Sequence, residues 1–154
     1  SHVAAHGLLD LDVTARGDIE VDDHHTVEDV GILFGQALKE ALGDKRGINR
    51  YGSQIMPMDE ALVLVALDLS GRSLLVYDVA LPGARVGQFD TELVPEFLRA
   101  LASNAGLTLH VQLIHGQNTH HIVEAIFKGL GRALRQAVSL DVRQSGVPST
   151  KGAL

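Results

Sequence analysis

His24-His25-Thr26-Val27-Glu28-Asp29-Val30-Gly31-Ile32-Leu33-Phe34-Gly35-Gln36-Ala37-Leu38-Lys39-Glu40-Ala41 returns 96 residues later as His120-His121-Ile122-Val123-Glu124-Ala125-Ile126-Phe127-Lys128-Gly129-Leu130-Gly131-Arg132-Ala133-Leu134-Arg135-Gln136-Ala137. Eight of the eighteen positions are identical: both histidines, the valine and glutamate that follow, and Gly35/Gly131, Ala37/Ala133, Leu38/Leu134 and Ala41/Ala137. A repeat in register over this length points to two fused halves, residues 1–80 and 81–154, that share one core. The expected fold class is therefore α/β (α+β), with internally duplicated β-β-α-β halves and helices packed on β-sheet.

Working outward from the first copy, Gly7 to Val13 alternates apolar and polar side chains. Asp18 to Val21 does so again after the turn signal Arg16-Gly17-Asp18, which predicts a hairpin. Asp22 or Asp23 stands where a helix N-cap would. Val27, Val30, Ile32, Leu33, Phe34, Ala37, Leu38 and Leu42 supply an apolar face, and Gly43 ends the helix. The charged loop from Asp44 to Gly52 leads to three β-rich runs, Ser53 to Met58, Ala61 to Leu69 and Ser73 to Val79. Leu81 to Gln88 reads as a Pro/Gly linker of low order, followed by a helix from a Thr91 N-cap to Gly106, with Pro95 tolerated in its first turn. Leu107 to Ile114 reads as a strand, and the second motif opens a long helix to about Val138. Ser1 to Ala5 reads as the end of a helix, and no signal peptide is read there.

Thirteen basic against nineteen acidic side chains give a net charge of −6, which does not suggest a nucleic-acid or anionic-membrane partner. The apolar run from Ala61 to Leu67 stops at Asp68, too short to span a bilayer. With no cysteine, disulfides and thiolate metal sites are impossible, and the composition fits a reducing compartment such as the cytoplasm.

On a helix, His24 and Glu28 lie four apart and His25 and Glu28 three apart, so each pair can share a face, while adjacent histidines diverge by roughly 100°. One motif thus gives an imidazole and a carboxylate to one metal and sends its other imidazole to a second. The twin motif completes both, which predicts two metals with nitrogen and oxygen ligands. Mn²⁺, Fe²⁺, Co²⁺, Ni²⁺ and Zn²⁺ all suit that donor set. The spacing differs from His-Glu-x-x-His, which argues against a metalloprotease. An acidic, His-bearing helix start explains one copy without any function, but nothing structural requires His-His twice.

Arg50 and Arg72, each beside a glycine, can form a guanidinium clamp on phosphate, or be solvated surface arginines. Ser149 and Lys151 offer donors from the polar tail, and Lys128 lies on the second motif's helix. His110 and His115 read as structural or surface residues.

Together with the blocks Gly43-Asp44-Lys45-Arg46-Gly47-Ile48, Pro57-Met58-Asp59-Glu60, Asp68-Leu69-Ser70-Gly71-Arg72 and Pro148-Ser149-Thr150-Lys151-Gly152, the two motifs make the sequence resemble the imidazoleglycerol-phosphate dehydratase family of histidine biosynthesis, in the expected order over almost the whole chain. The resemblance implies a fold like the second domain of ribosomal protein S5, a homo-oligomer of twenty-four subunits with active sites between subunits, and two Mn²⁺ per site. It implies His24, His25, Glu28, His120, His121 and Glu124 as metal ligands, with His25, Glu28, His121 and Glu124 taking part in catalysis. Arg50, Arg72, Ser149 and Lys151 would contact phosphate, and His6 and Lys128 would belong to the substrate-binding segments. Family members carry, upstream of the position matching Ser1, an Asp-His-Met-Leu phrase whose histidine ligates metal, and before it an acid/base glutamate. Internal pseudo-symmetry places Glu96 opposite that histidine and makes it a further candidate ligand.

The reaction implied is dehydration of a small phosphorylated imidazole substrate, imidazole glycerol phosphate, to imidazole acetol phosphate. No carbonyl adjoins the carbon that loses its proton, so a metal-bound imidazolate is expected to act as the electron sink and lose hydroxide to give a diazafulvene-like intermediate. The same ligands also fit a binuclear metal phosphoesterase, and a shortened, inactive form of the dehydratase is a further alternative.

Overall fold

The computed structural model describes residues 2–18, 20–150 and 152. Two long helices carry the repeat: α2 (His24–Leu42) and α4 (Thr119–Val138). Around them lie α1 (His2–Gly7), α3 (Leu93–Ala105) and the strands β1 (Tyr51–Met58), β2 (Ala61–Asp68), β3 (Leu74–Asp78) and β6 (Thr108–His115). A short pair, β4 (Arg85–Val86) and β5 (Phe89–Asp90), stands apart.

The main sheet runs β1-β2-β6-β3. β1 and β6 flank β2 antiparallel, and β3 joins the far edge parallel to β6 through the crossover helix α3. Strict alternation along β2 sends Ala61, Val63, Val65 and Leu67 to one face. That face meets Ile122, Ile126, Leu130 and Leu134 of α4 and Val94, Leu98 and Leu101 of α3, all essentially inaccessible to solvent. Burying a side chain of this size contributes roughly 1.5–3 kcal/mol, so this layer is the main source of cohesion.

A second helical layer lies over the first, and it is crossed: α2 packs on α3, and α1 on α4. The repeated glycines make the crossing possible. A Cβ on Gly35 would lie 2.8 Å from the Leu101 carbonyl oxygen of α3, and one on Gly131 would lie 2.7 Å from the Val3 carbonyl oxygen of α1. Equivalent glycines thus seat equivalent helix backbones, pairing Leu101 and Ala105 of α3 with Val3 and Gly7 of α1.

Three local expectations are corrected. No hairpin forms among the described residues of 7–21, so the first half runs helix, helix and three strands rather than β-β-α-β. A strand needs a ladder partner, and Leu11, Val13 and Val21 stay exposed with no strand beside them. Residues 12–19 match 108–115 at the repeat offset, and there β6 forms because β2 and β3 flank it. The Leu81 to Gln88 linker is partly ordered: β4 and β5 pair, and Arg85 grips Asp90 through Nε at 2.6 Å and Nη2 at 3.2 Å. Thr91 is not a side-chain cap; Glu92 holds that position while the Thr91 hydroxyl donates to the Gly83 carbonyl. As expected, Asp23 stands at the N-cap position of α2; it makes no side-chain cap bond, and Asp22 accepts the His24 N–H.

Candidate active site

Each histidine pair opens its helix in the same way. The Asp22 carboxylate accepts the His24 N–H at 2.9 Å, and its counterpart Asn118 accepts the His120 N–H at 2.9 Å and that of His121 at 3.3 Å. These contacts satisfy otherwise orphaned amides and fix where the imidazoles begin.

From there the pairs diverge. The two rings stand 6.2 Å apart in both motifs, with planes at 86° in the first and 75° in the second. The first histidine faces the glutamate one turn on: His24 Nε2 lies 3.9 Å from Glu28, and His120 Nε2 lies 3.2 Å from Glu124. The second turns to a carboxylate outside the helix. His25 Nδ1 meets Asp18 at 3.2 Å, and His121 Nδ1 meets Glu60 at 2.7 Å while its Nε2 lies 3.4 Å from Asp59. Each of these hydrogen bonds raises its imidazole's pKa above the ordinary value, lowers that of Asp18, and holds Glu60 down to about 2. Glu60 also accepts the N–H groups of Gln117 and Asn118, tying the turn before α4 to the turn after β1.

The halves are not equal around their glutamates. The Glu28 side chain is 47% exposed and Glu124 only 15%. Lys128 Nζ reaches Glu124 at 2.7 Å, which lowers the carboxyl pKa, and the repeat places Ile32 at the matching position of α2. His2 Nε2 approaches Glu124 at 3.9 Å. His6 stands on the same helix, and partial burial, then Lys128, lowers its pKa. The expected substrate residues His6 and Lys128 are therefore brought beside the second motif.

A second cluster gathers Arg50, Arg72 and the tail. Arg50 bonds Asp68 through Nε at 2.7 Å and Nη2 at 3.1 Å, and its Nη1 donates to the Pro148 carbonyl at 2.8 Å, next to Ser149. Arg72 Nη2 lies 3.8 Å from the same carboxylate, with its side chain largely exposed. Lys151 lies outside the described residues. Glu96 is paired with Arg99 at 2.5 Å, and among the described residues no three His, Asp or Glu side chains converge as a ligand group. His110 and His115 are exposed, as expected.

Sequence reasoning missed Asp18, Glu60, Asp59, His2 and Asp68. Asp18 ends a turn already recognised, and Asp59 and Glu60 form the tight β1–β2 turn, with Asp59 at φ 49°. Only their distance in sequence from the histidines concealed them.

The donors suit a borderline divalent metal: imidazoles oriented by carboxylates, with glutamates at i+4 and no thiolate. Fold and site together define an α/β enzyme built on duplicated imidazole–carboxylate half-sites, with the arginine cluster at the opposite end of the β1–β2 hairpin from the Glu60–His121 contact. The family model for imidazoleglycerol-phosphate dehydratase matches residues 1–134. The imidazoleglycerol-phosphate dehydratase of Moorella thermoacetica is 64% identical over 154 residues, covering 100% of this chain and 79% of that protein. That of Desulforamulus reducens is 66% identical over 151 residues, covering 98% and 77%. The crystal structure of the Staphylococcus aureus enzyme matches with a TM-score of 0.86 at 48% identity, covering 91% of this chain and 79% of that one. That of the Pyrococcus furiosus enzyme matches with a TM-score of 0.88 at 42% identity, covering 99% and 82%. The chain belongs to the imidazoleglycerol-phosphate dehydratase family: it is a hydro-lyase of histidine biosynthesis that dehydrates imidazole glycerol phosphate.

Proposed function

We propose that the two His-His-x-x-Glu motifs are half-sites for two Mn²⁺ ions, held by His24, His25, Glu28, His120, His121 and Glu124, with Glu96 as a further ligand. The supporting observation is the shared geometry: in both motifs the first imidazole faces its own Glu, and the second has Nδ1 taken by an outside carboxylate. Such a partner fixes the tautomer and raises ligand basicity. The equivalence of Leu101 with Val3 lines Glu96 up with a position upstream of Ser1, in keeping with its pairing to the family's upstream histidine.

When bound, the ions supply Lewis-acid polarisation of the substrate's imidazole, the electron sink that its carbon skeleton lacks. The chain's own residues do the rest. Arg50, Arg72, Ser149 and Lys151 anchor the phosphate, so binding energy remote from the reacting carbon aligns it. His6 and Lys128 line the approach to Glu124. Glu28 and Glu124 would lower the ions' net charge and, with His25 and His121, fix where they stand against the substrate's imidazole.

One motif offers too few donors for an octahedral Mn²⁺, so the reading includes sites completed between copies of the chain in a homo-oligomer, a 24-mer when metal-loaded. Tyr51, Ile55, Leu74, Val76 and Ile114 remain exposed on the main sheet and give such copies an apolar surface. No helix among the described residues is long and apolar enough to cross a membrane. The same reading puts the enzyme in the cytoplasm without a nucleic-acid or membrane partner, supported by the cysteine-free composition and the net charge of −6.

Elemental analysis of protein purified with Mn²⁺ tests the reading. It predicts close to two ions per chain and loss of both binding and turnover when His120 and Glu124 become alanine. An assembled, metal-free protein, or undiminished turnover in that variant, would overturn it.

A further inference from the structure

Asp68 closes β2 at the point where three separate segments meet, and its carboxylate touches or steers all of them. Arg50 is held most tightly. Its side chain is 11% exposed, its guanidinium takes both oxygens of Asp68 at 2.7 and 3.1 Å, and its backbone stands at φ 72°. A non-glycine residue in that region stores strain that its surroundings must offset. The offsetting contacts are visible: the Arg50 N–H donates to the Ala137 carbonyl, its carbonyl accepts from Leu69 N, and its guanidinium lies over the Tyr51 ring at 4.7 Å.

The third direction of the same guanidinium reaches the tail, where Nη1 donates to the Pro148 carbonyl. Arg72, across the turn that follows β2, points to the same carboxylate from 3.8 Å and keeps a 72% exposed side chain. That turn is pinned as well. Lys45, 7% exposed and at φ 61°, spends its ammonium on the Leu69 carbonyl at 3.0 Å, and the Ser70 hydroxyl accepts the Arg72 N–H at 3.2 Å.

Two guanidiniums thus share one carboxylate, which leaves the cluster net cationic and suited to a phosphate. Of the five N–H groups on a guanidinium, Arg50 has committed three, which leaves two. We infer that Asp68 is a positioning residue for the reaction: it orients Arg50 and Arg72 and, through Arg50, holds the segment bearing Ser149, so that the phosphate meets a preformed cradle. The inference rests on the reading of Arg50, Arg72 and Ser149 as phosphate contacts. Preorganisation of this kind is felt first in binding, because the ordering of the cradle is met before the substrate arrives.

The test uses Asp68→Asn, Asp68→Glu and Arg72→Ala in the Mn²⁺-loaded enzyme, with imidazole glycerol phosphate as substrate and inorganic phosphate as competitive inhibitor. Asp68→Asn is expected to raise KM and the phosphate inhibition constant together by about tenfold or more, with kcat within about threefold. Amide exchange at residues 146–150 should speed up, and Asp68→Glu, which keeps the charge, should recover part of the loss. Unchanged KM and phosphate inhibition in Asp68→Asn, or a fall in kcat with KM unmoved, would overturn the inference. Should Asp68→Asn fail to fold, Asp68→Glu decides: a raised KM with near-normal kcat supports the role, and wild-type KM removes it. Arg72→Ala separates the two ideas, because unaltered KM and phosphate inhibition there would refute the phosphate reading itself.

Discussion

Replacing Glu60 by glutamine removes one charge and nothing of the side chain's shape. In the wild-type protein Glu60 accepts three hydrogen bonds: from His121 Nδ1 at 2.7 Å, from Asn118 N at 2.7 Å and from Gln117 N at 3.1 Å. The amide can keep its oxygen where Oε1 stands and still accept both backbone N–H groups, but its NH₂ then takes the place of Oε2 and cannot accept from an Nδ1–H. Carboxylates behind ligating histidines typically account for about 10–100-fold in metal affinity. Because the bond lost is the short one to the ligating imidazole, at 2.7 Å, Glu60→Gln belongs in the upper part of that range. Asp18→Asn in the first motif belongs near the lower end, because Asp18 makes one longer hydrogen bond to His25, at 3.2 Å. Mn²⁺ titration followed by the EPR signal of the free ion measures both. Wild-type affinity in Glu60→Gln, or a larger loss in Asp18→Asn, would refute the reasoning that outside carboxylates set these imidazoles as ligands.

The same pair predicts a pH signature in metal-free protein. Glu60, held to about 2 against an ordinary 4.5, contributes stability present above 4.5 and lost as pH falls through about 2. His121, raised above 6.5, contributes stability present below 6.5 and lost as pH rises through its elevated pKa. Thermal unfolding should therefore separate wild type from Glu60→Gln most between pH 4.5 and 6.5, and less on either side. Gly131→Ala would push a Cβ to 2.7 Å from the Val3 carbonyl oxygen and 2.9 Å from Gly7 N; overpacking of this kind costs about 1–3 kcal/mol, to be read from urea unfolding. Lys128→Met should let the Glu124 pKa rise towards its ordinary value in metal-free protein, since Lys128 is the largest cause of its depression, a change to be read from the Glu124 carboxyl resonance across a pH titration. Chelation of metal should loosen the oligomer, detectable by light scattering, because ligands from different chains lose their shared partner.

Much of the fold was legible where the signals are local. Gly43 and Asn118 bound the two long helices by their chemistry, and alternation along Ala61 to Leu67 gave β2 its buried face. Failures came where partners are distant or where a side chain does an unexpected job. Residues 9–13 alternate as well as any strand, yet a strand exists only beside another, and nothing in the local pattern says which segments have neighbours. Arg85 and Asp90 order a linker that its Pro and Gly content marks as loose. In the site, the repeat pointed to all four histidines and both glutamates, and in the structure the adjacent imidazoles of each motif face different carboxylates. It could not show Glu60 beside His121 across 61 positions, or Asp68 beneath Arg50, since both depend on the sheet bringing turns together.

The central claim is that this duplicated half-site dehydrates a phosphorylated imidazole with its phosphate intact. Incubation with imidazole glycerol phosphate and Mn²⁺, following the enol absorbance of the product while assaying inorganic phosphate, tests it most directly. The account predicts accumulation of imidazole acetol phosphate without phosphate release, abolished by alanine at His120 and Glu124. Phosphate release without the enol signal would contradict it.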